Sequence, residues 1–187
     1  MKILYLRMPE WPNRPHDDLV AALAGRYPLL LFDPNRSAAP QFAGVDVVLD
    51  RGGSVATREL IDLASAARVK LWQATTVGTN QMDVAYFLER GVPLANSPGS
   101  SSAVPLAEHA LFLILAFAKN FNGCQRNIRE QVLFNPLTEE LPGKTLGLIG
   151  LGASARELAR RAVSLGMRIM AIDVLDVPQP VRDELHV

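Results

Sequence analysis

Gly143-Lys144-Thr145-Leu146-Gly147-Leu148-Ile149-Gly150-Leu151-Gly152-Ala153-Ser154-Ala155 decides the fold, together with Asp173 just after a second apolar run at 168–172. Residues 145–149 have the Leu/Ile-rich, uncharged character of a strand in a parallel sheet. Gly-x-Gly-x-x-Ala then turns the chain, and 154–166 reads as a helix closed by Gly166. Strand, glycine turn, helix, strand and acid in that order form one β-α-β unit. Gly150 permits the tight turn, Gly152 lets a phosphate approach the backbone, and the small Ala155 allows helix to pack closely on strand. Amide groups at the helix start, around Ala153, Ser154 and Ala155, attract that phosphate. Asp173 lies 23 residues after Gly150, where a carboxylate accepts hydrogen bonds from a ribose. The unit therefore predicts a dinucleotide site built from Gly150, Gly152, Ala153, Ser154, Ala155 and Asp173. Because the same charge repels a 2′-phosphate, the expected cofactor is NAD and not NADP. The competing reading is a glycine turn that holds no ligand.

Outward from this unit, short β-branched and Leu-rich runs alternate with helical patterns along the whole chain, which predicts an α/β fold with parallel sheets. The expected strands are 2–7, 29–32, 45–49, 69–73, 93–96, 145–149 and 168–172. The expected helices are 17–25, 57–67, 83–91, 105–121, 123–132 and 154–166. Helix 105–121 opens with Pro105 in its first turn and Glu108 near its positive end. It is apolar nearly all round from 110 to 118, so burial between layers or domains is expected. A domain boundary is placed at its start, giving 1–103 and 104–187.

Composition narrows the class of function. The chain has 187 residues, 49% hydrophobic and 20% charged, with 19 basic and 19 acidic side chains and a formal net charge of zero. That excludes a disordered tail, a collagen-like repeat and a strongly charged nucleic-acid binder. The single cysteine, Cys124, rules out an intrachain disulfide, and the first residues read as a strand and not a signal peptide, so a cytoplasmic setting is expected. The longest unbroken apolar run, 110–118, has nine residues against the roughly 20 of a membrane span, so no membrane partner is expected. No metal site is expected.

Three segments together resemble the D-isomer-specific 2-hydroxyacid dehydrogenases, the group that includes phosphoglycerate, glycerate and D-lactate dehydrogenases. They are Thr76-Val77-Gly78-Thr79-Asn80-Gln81-Met82-Asp83; Gly91-Val92-Pro93-Leu94-Ala95-Asn96-Ser97-Pro98-Gly99 leading to Ala107-Glu108-His109; and 143–152 with Asp173. The likeness covers about residues 45–175, and the 17 residues between Ala155 and Asp173 match the family spacing. It implies a flavodoxin-like substrate domain at 1–103, followed at 104–187 by a connecting helix and the first part of a Rossmann dinucleotide-binding domain. It also implies that Val77 and Gly78 offer backbone N–H groups to a substrate carboxylate, that Arg51 faces the cleft, and that Ser102 lies on the nicotinamide side. Gly78 reads equally as a turn glycine and Arg51 as a solvated charge. His109 reads as structural. Ser154 departs from the family, which usually has an aliphatic residue there.

The family's chemistry uses an Arg that holds the substrate, a His that takes the hydroxyl proton and a Glu that tunes the His, all late in the dinucleotide domain. His16, His109 and His186 stand in no such context. The resemblance therefore implies an NAD-dependent oxidoreductase acting on a small-molecule 2-hydroxy or 2-oxo acid, homodimeric when complete. The present chain is expected to be a truncated, inactive portion with no catalytic residue of its own. A non-catalytic relative that senses NAD(H) and binds partner proteins, as corepressors do, is the alternative. With about one β-α-β unit after Lys144, the second sheet is expected to expose an edge and a face and to favour self-association. The stretch 177–187, with Pro178 and Pro180, is expected to be disordered.

Overall fold

A computed structural model describes residues 1–6, 14–23, 25–51 and 56–187, with side chains from residue 17 onward in the helix that begins at Arg14. Arg7, the expected end of the first strand, and the His16 side chain lie outside the described residues. The chain divides into two compact units, Met1–Pro98 and Gly99–Val187. The sequence placed the boundary at 103/104. The difference is a 3-10 turn, Gly99–Ser102, which runs directly into the next helix and packs with it, and so travels with the second unit.

The first unit is a five-stranded parallel sheet. Its elements are β1 (Ile3–Leu6), α1 (Arg14–Leu23), β2 (Leu29–Leu31), α2 (Ala38–Phe42), β3 (Val47–Asp50), α3 (Arg58–Ala66), β4 (Leu71–Ala74), α4 (Val84–Glu89) and β5 (Leu94–Ala95). The strand order β2-β1-β3-β4-β5 is that of flavodoxin-like folds. Register pairs Leu4 with Val48 and Val48 with Trp72, so these side chains share one face. That face is closed by Phe42, Leu60, Ile61, Ala64 and Phe87 of α2, α3 and α4. Trp72, wholly buried, stacks on Phe42 at 6.5 Å between centroids and meets Phe87 edge-on at 5.2 Å. The helices begin where the sequence supplies caps. The Thr57 hydroxyl accepts from the Leu60 amide at 3.4 Å, and Asp83 accepts from Tyr86 at 3.1 Å. The five-residue α2 was not expected from the sequence.

The second unit contains α5 (Ala103–Ala118), α6 (Phe121–Arg129), β6 (Thr145–Ile149), α7 (Ala153–Ser164), β7 (Arg168–Ile172) and α8 (Gln179–Leu185). β6 and β7 pair in parallel, Thr145 with Arg168 through Ile149 with Ile172. Leu141, Leu151, Ala159, Ala162, Met167, Ile169 and Leu185 form its core. Two expectations are corrected here. Residues 179–185 form a helix, closed by His186 in the left-handed conformation, instead of a disordered tail. Leu185 at its end is fully buried, and that contact gives the short segment its reason to order. Helix α5 is not enclosed. Ala103 and Ala107 are buried and Ile114, Leu115 and Ala118 pack on the core, whereas Phe112, Leu113 and Phe117 are exposed. Its partner on the covered side is α7, and one neighbouring helix covers only one stripe. With the preceding turn, Gly99–Ala118 is long and apolar enough, by length and composition alone, to cross a membrane. A helix packed on a β-α-β core passes the same test.

Candidate functional site

The glycine turn leaves β6 at Gly150, whose φ of +90° lies in the region that favours glycine. Its amide donates to the Ile172 carbonyl at 2.7 Å, which ties the turn to β7. Gly152 is the N-cap of α7, and a Cβ built there meets nothing within 4 Å, so the space above the turn is open. The first bond into the helix runs from the Arg156 amide to the Gly152 carbonyl at 3.0 Å, and no side chain caps this end. The amides of Ala153, Ser154 and Ala155 therefore point out of the helix without an intrahelical acceptor. An anion is the group that satisfies them, helped by the positive end of the helix dipole.

Asp173, one residue past β7, completes this edge. Its Oδ1 accepts from the Leu175 amide at 2.9 Å and its Oδ2 from the Leu151 amide at 2.5 Å. Those bonds, Leu175 first and Leu151 next, hold its carboxyl below the usual carboxylate range. The group is thus ionised at neutral pH. A carboxylate offers roughly four acceptor positions, so capacity remains for ribose hydroxyls. Beside it lies a cavity of about 430 Å³ lined by Leu151, Ile172, Leu175, Val177 and Arg182. Its wall mixes apolar side chains with Asp173, Asp176 and Arg182, the last two ion-paired with each other, so Asp173 is the carboxylate left to meet a nucleoside's hydroxyls. The residues present fit the pyrophosphate and ribose of a dinucleotide.

The first unit carries a second concave edge, at the carboxyl ends of its strands. In a sheet ordered β2-β1-β3-β4-β5 the chain reverses direction across the sheet between β1 and β3, where ligands of open α/β sheets bind. Arg51 stands there, directly after β3, its amide donating to the Leu6 carbonyl at 3.1 Å. It shares a cavity of about 490 Å³ with Tyr5, Asp18, Leu19, Ala22 and Thr75. Val77 and Gly78 follow β4 on the same sheet edge. Their amides donate to no group among the described residues, while the Val77 carbonyl accepts from Asn96 Nδ2 at 2.6 Å and the Gly78 carbonyl from Thr76 Oγ1 at 3.0 Å. The loop is thus pinned through its carbonyls and leaves its donors open.

Residues 111–186 match the family described as D-isomer specific 2-hydroxyacid dehydrogenase, NAD binding domain. The second unit carries the NAD-binding domain of the D-isomer-specific 2-hydroxyacid dehydrogenase family. A hydroxypyruvate reductase of Thermotoga maritima is 34% identical over 131 residues, 69% of this chain and 42% of the relative. A D-3-phosphoglycerate dehydrogenase of Methanocaldococcus jannaschii is 32% identical over 146 residues, 76% of this chain and 27% of the relative. The chain thus spans less than half the length of either. In fold it is similar to a D-lactate dehydrogenase from Aquifex aeolicus solved with NAD and lactic acid, with a TM-score of 0.78 at 20% identity, covering 97% of this chain and 54% of that one.

NAD is the cofactor of the domain that the second unit carries. Gly150, Gly152, Ala153, Ser154, Ala155 and Asp173 all lie within that unit, at the carboxyl ends of β6 and β7. Ser102 is the N-cap residue of α5, in the 3-10 turn that also packs on α7. Arg51, Val77 and Gly78 gather on the one edge of the first unit. Ser154 is half-buried. Sequence reasoning missed Val177 and Arg182, which line the cavity beside Asp173, because the two prolines nearby read as disorder. It also missed Asp50, the one buried charged residue among those described, although an acid ending the run Val47-Val48-Leu49 was a visible signal.

Proposed function

We propose that this protein, in its complete form, is an NAD-dependent oxidoreductase that moves hydride between NAD(H) and a small 2-hydroxy or 2-oxo acid. The observation that carries the reading is the uncapped start of α7 beside the ionised Asp173. When bound, NAD supplies or accepts hydride at C4 of its nicotinamide. The amides of Ala153, Ser154 and Ala155 hold the pyrophosphate, Asp173 takes the ribose, and its charge excludes a 2′-phosphate. Arg51 with the open amides of Val77 and Gly78 binds the carboxylate of the substrate by charge-assisted hydrogen bonds. The names of the two relatives, hydroxypyruvate reductase and D-3-phosphoglycerate dehydrogenase, agree with a small acid of this class.

Reduction of a 2-oxo acid also needs a proton for the new hydroxyl. Among the described residues, His109 sits on α5 with its ring 6.0 Å from that of Phe112, and His186 closes α8; neither ring is bonded to a carboxylate. No described histidine is thus set up as the proton donor, and we propose that this chain binds without turning over. Loss of such a donor costs roughly 10²- to 10⁴-fold in rate. The complete protein is proposed to pair as a homodimer through apolar surface of the second unit. Titration of the chain with NADH and NADPH by fluorescence tests the cofactor reading: NADH binding more tightly supports it, and equal affinity defeats the role given to Asp173. Assay with NADH and glyoxylate, hydroxypyruvate or pyruvate tests the rest. Turnover near ~1 s⁻¹ would show that a donor and an anion clamp exist within these 187 residues.

A further inference from the structure

Asp50 ends β3 on the apolar face of the first sheet, with no solvent exposure, and Trp72 donates its indole N–H to Asp50 Oδ2 at 3.2 Å. In register Asp50 lies opposite Ala74, so Trp72 reaches it along the diagonal of the β3-β4 ladder. The Asp50 carbonyl accepts twice from Thr75, from its amide at 2.8 Å and from its hydroxyl at 3.2 Å. Three bonds thus converge on the residue immediately before Arg51, and two of them come from the residue that leads into Thr76, Val77 and Gly78. The indole is itself clamped between Phe42 and Phe87, so the donor has little freedom to move.

Stability alone does not account for an acid here. A buried carboxyl is costly, and an apolar side chain of similar volume in its place is often neutral or stabilising. What a buried polar contact adds is a preference for one arrangement over its neighbours. Beyond β3 and β4 no strand pairing sets the distance between Arg51 and the loop that carries the Val77 and Gly78 amides. We infer that Asp50 is a positioning residue: its carboxyl holds Trp72 and its carbonyl holds Thr75 at the last rung of β3 and β4, and together they set the spacing between Arg51 and the Val77–Gly78 amides, and so the tightness of the carboxylate grip. The inference rests on the substrate-carboxylate reading given above.

The test follows the backbone amides of Arg51, Val77 and Gly78 by nitrogen-proton NMR in the full chain, using oxamate as probe and hydrogen exchange as a second readout that needs no ligand. Trp72→Phe keeps the aromatic core and removes only the N–H donor; Asp50→Asn keeps an acceptor oxygen. Expected are an oxamate Kd about fivefold weaker in Trp72→Phe, faster exchange of the Thr75 amide in that variant, and an Asp50→Asn variant within about twofold of the parent. NADH affinity should stay unchanged in both. Unchanged oxamate affinity and exchange in Trp72→Phe overturn the inference. So does equal weakening of oxamate and NADH, which marks a merely structural role. If the parent chain shows no oxamate shifts at all, the carboxylate reading fails, and the exchange of Thr75 still decides whether Asp50 and Trp72 order this edge.

Discussion

β1 and β6 are both short parallel strands rich in Leu and Ile, yet the molecule treats them differently. All four residues of β1 are buried, whereas β6 alternates, and Ile149 is 98% exposed. β7 repeats the pattern, with Met170 and Ile172 open on the face that Ile149 shares. In the first sheet β1 is buried on both faces, and β3 and β4 are buried on one face and half-buried on the other. The second has two strands, with its core side chains on one face and an open opposite face. A parallel strand with apolar residues on both sides is built to be covered twice. The second unit meets half of that requirement, and its open face is a consequence of what surrounds it, not of its sequence.

That contrast can be broken by mutation. Phe87→Ala, at a fully buried position on α4, should cost about 3–5 kcal/mol, while Ile149→Ala should change stability by less than about 0.5 kcal/mol. Urea unfolding of the two variants measures both; a large loss from Ile149→Ala would mean that its face is covered in solution. Gly150→Val places a β-branched residue at positive φ, with strain of about 1–3 kcal/mol, and should weaken NADH binding more than about tenfold. Oxamate shifts at Val77 should survive it, which separates the two units by function. Ile149→Lys with Ile172→Lys puts charge on the open face and should weaken self-association about tenfold at unchanged helix content, as read by sedimentation velocity. No shift toward monomer would locate association elsewhere, with the exposed stripe of α5 next to be tested.

The smallest effect concerns pH. The Leu175 and Leu151 amides lower the folded-state pKa of Asp173, so its contribution is present above the ordinary Asp value of about 3.9 and is lost as pH falls through the lowered value. The urea midpoint of the second unit should therefore drop more steeply on acidification in the parent than in Asp173→Asn. Parallel curves would remove Asp173 from the stability of the turn, leaving its place beside the cavity intact.

Local chemistry made most of the elements readable. β6 and β7 lie at the expected residues, and α3, α7 and the glycine turn fall within a residue or two of expectation, because turn glycines and short Leu/Ile-rich runs act over a few neighbours. α8 was not legible: Pro178 and Pro180 read as a break, yet as N-cap and first-turn residues they suit a helix start, and the burial of Leu185 against the β-α-β core orders the short segment. The enclosure expected for α5 failed for the converse reason. An all-apolar helix states a demand for partners, and whether they are met depends on elements distant in sequence. Arg51, Val77, Gly78 and the dinucleotide turn were visible as motifs, but the open amides beside pinned carbonyls were not, since hydrogen-bond occupancy is a property of the assembled loop.

By itself the sequence determined the α/β class, the glycine turn with its acid, and the family of the NAD-binding domain that residues 111–186 match. Those depend on residue type and spacing along a few turns of chain. Tertiary structure alone decided that Asp50 meets Trp72 across a ladder, that Leu185 orders the last helix, and that one face of the second sheet stays open. Each is a contact, or the lack of one, between segments far apart in sequence, and sequence pattern states what a residue needs without fixing which distant neighbour supplies it.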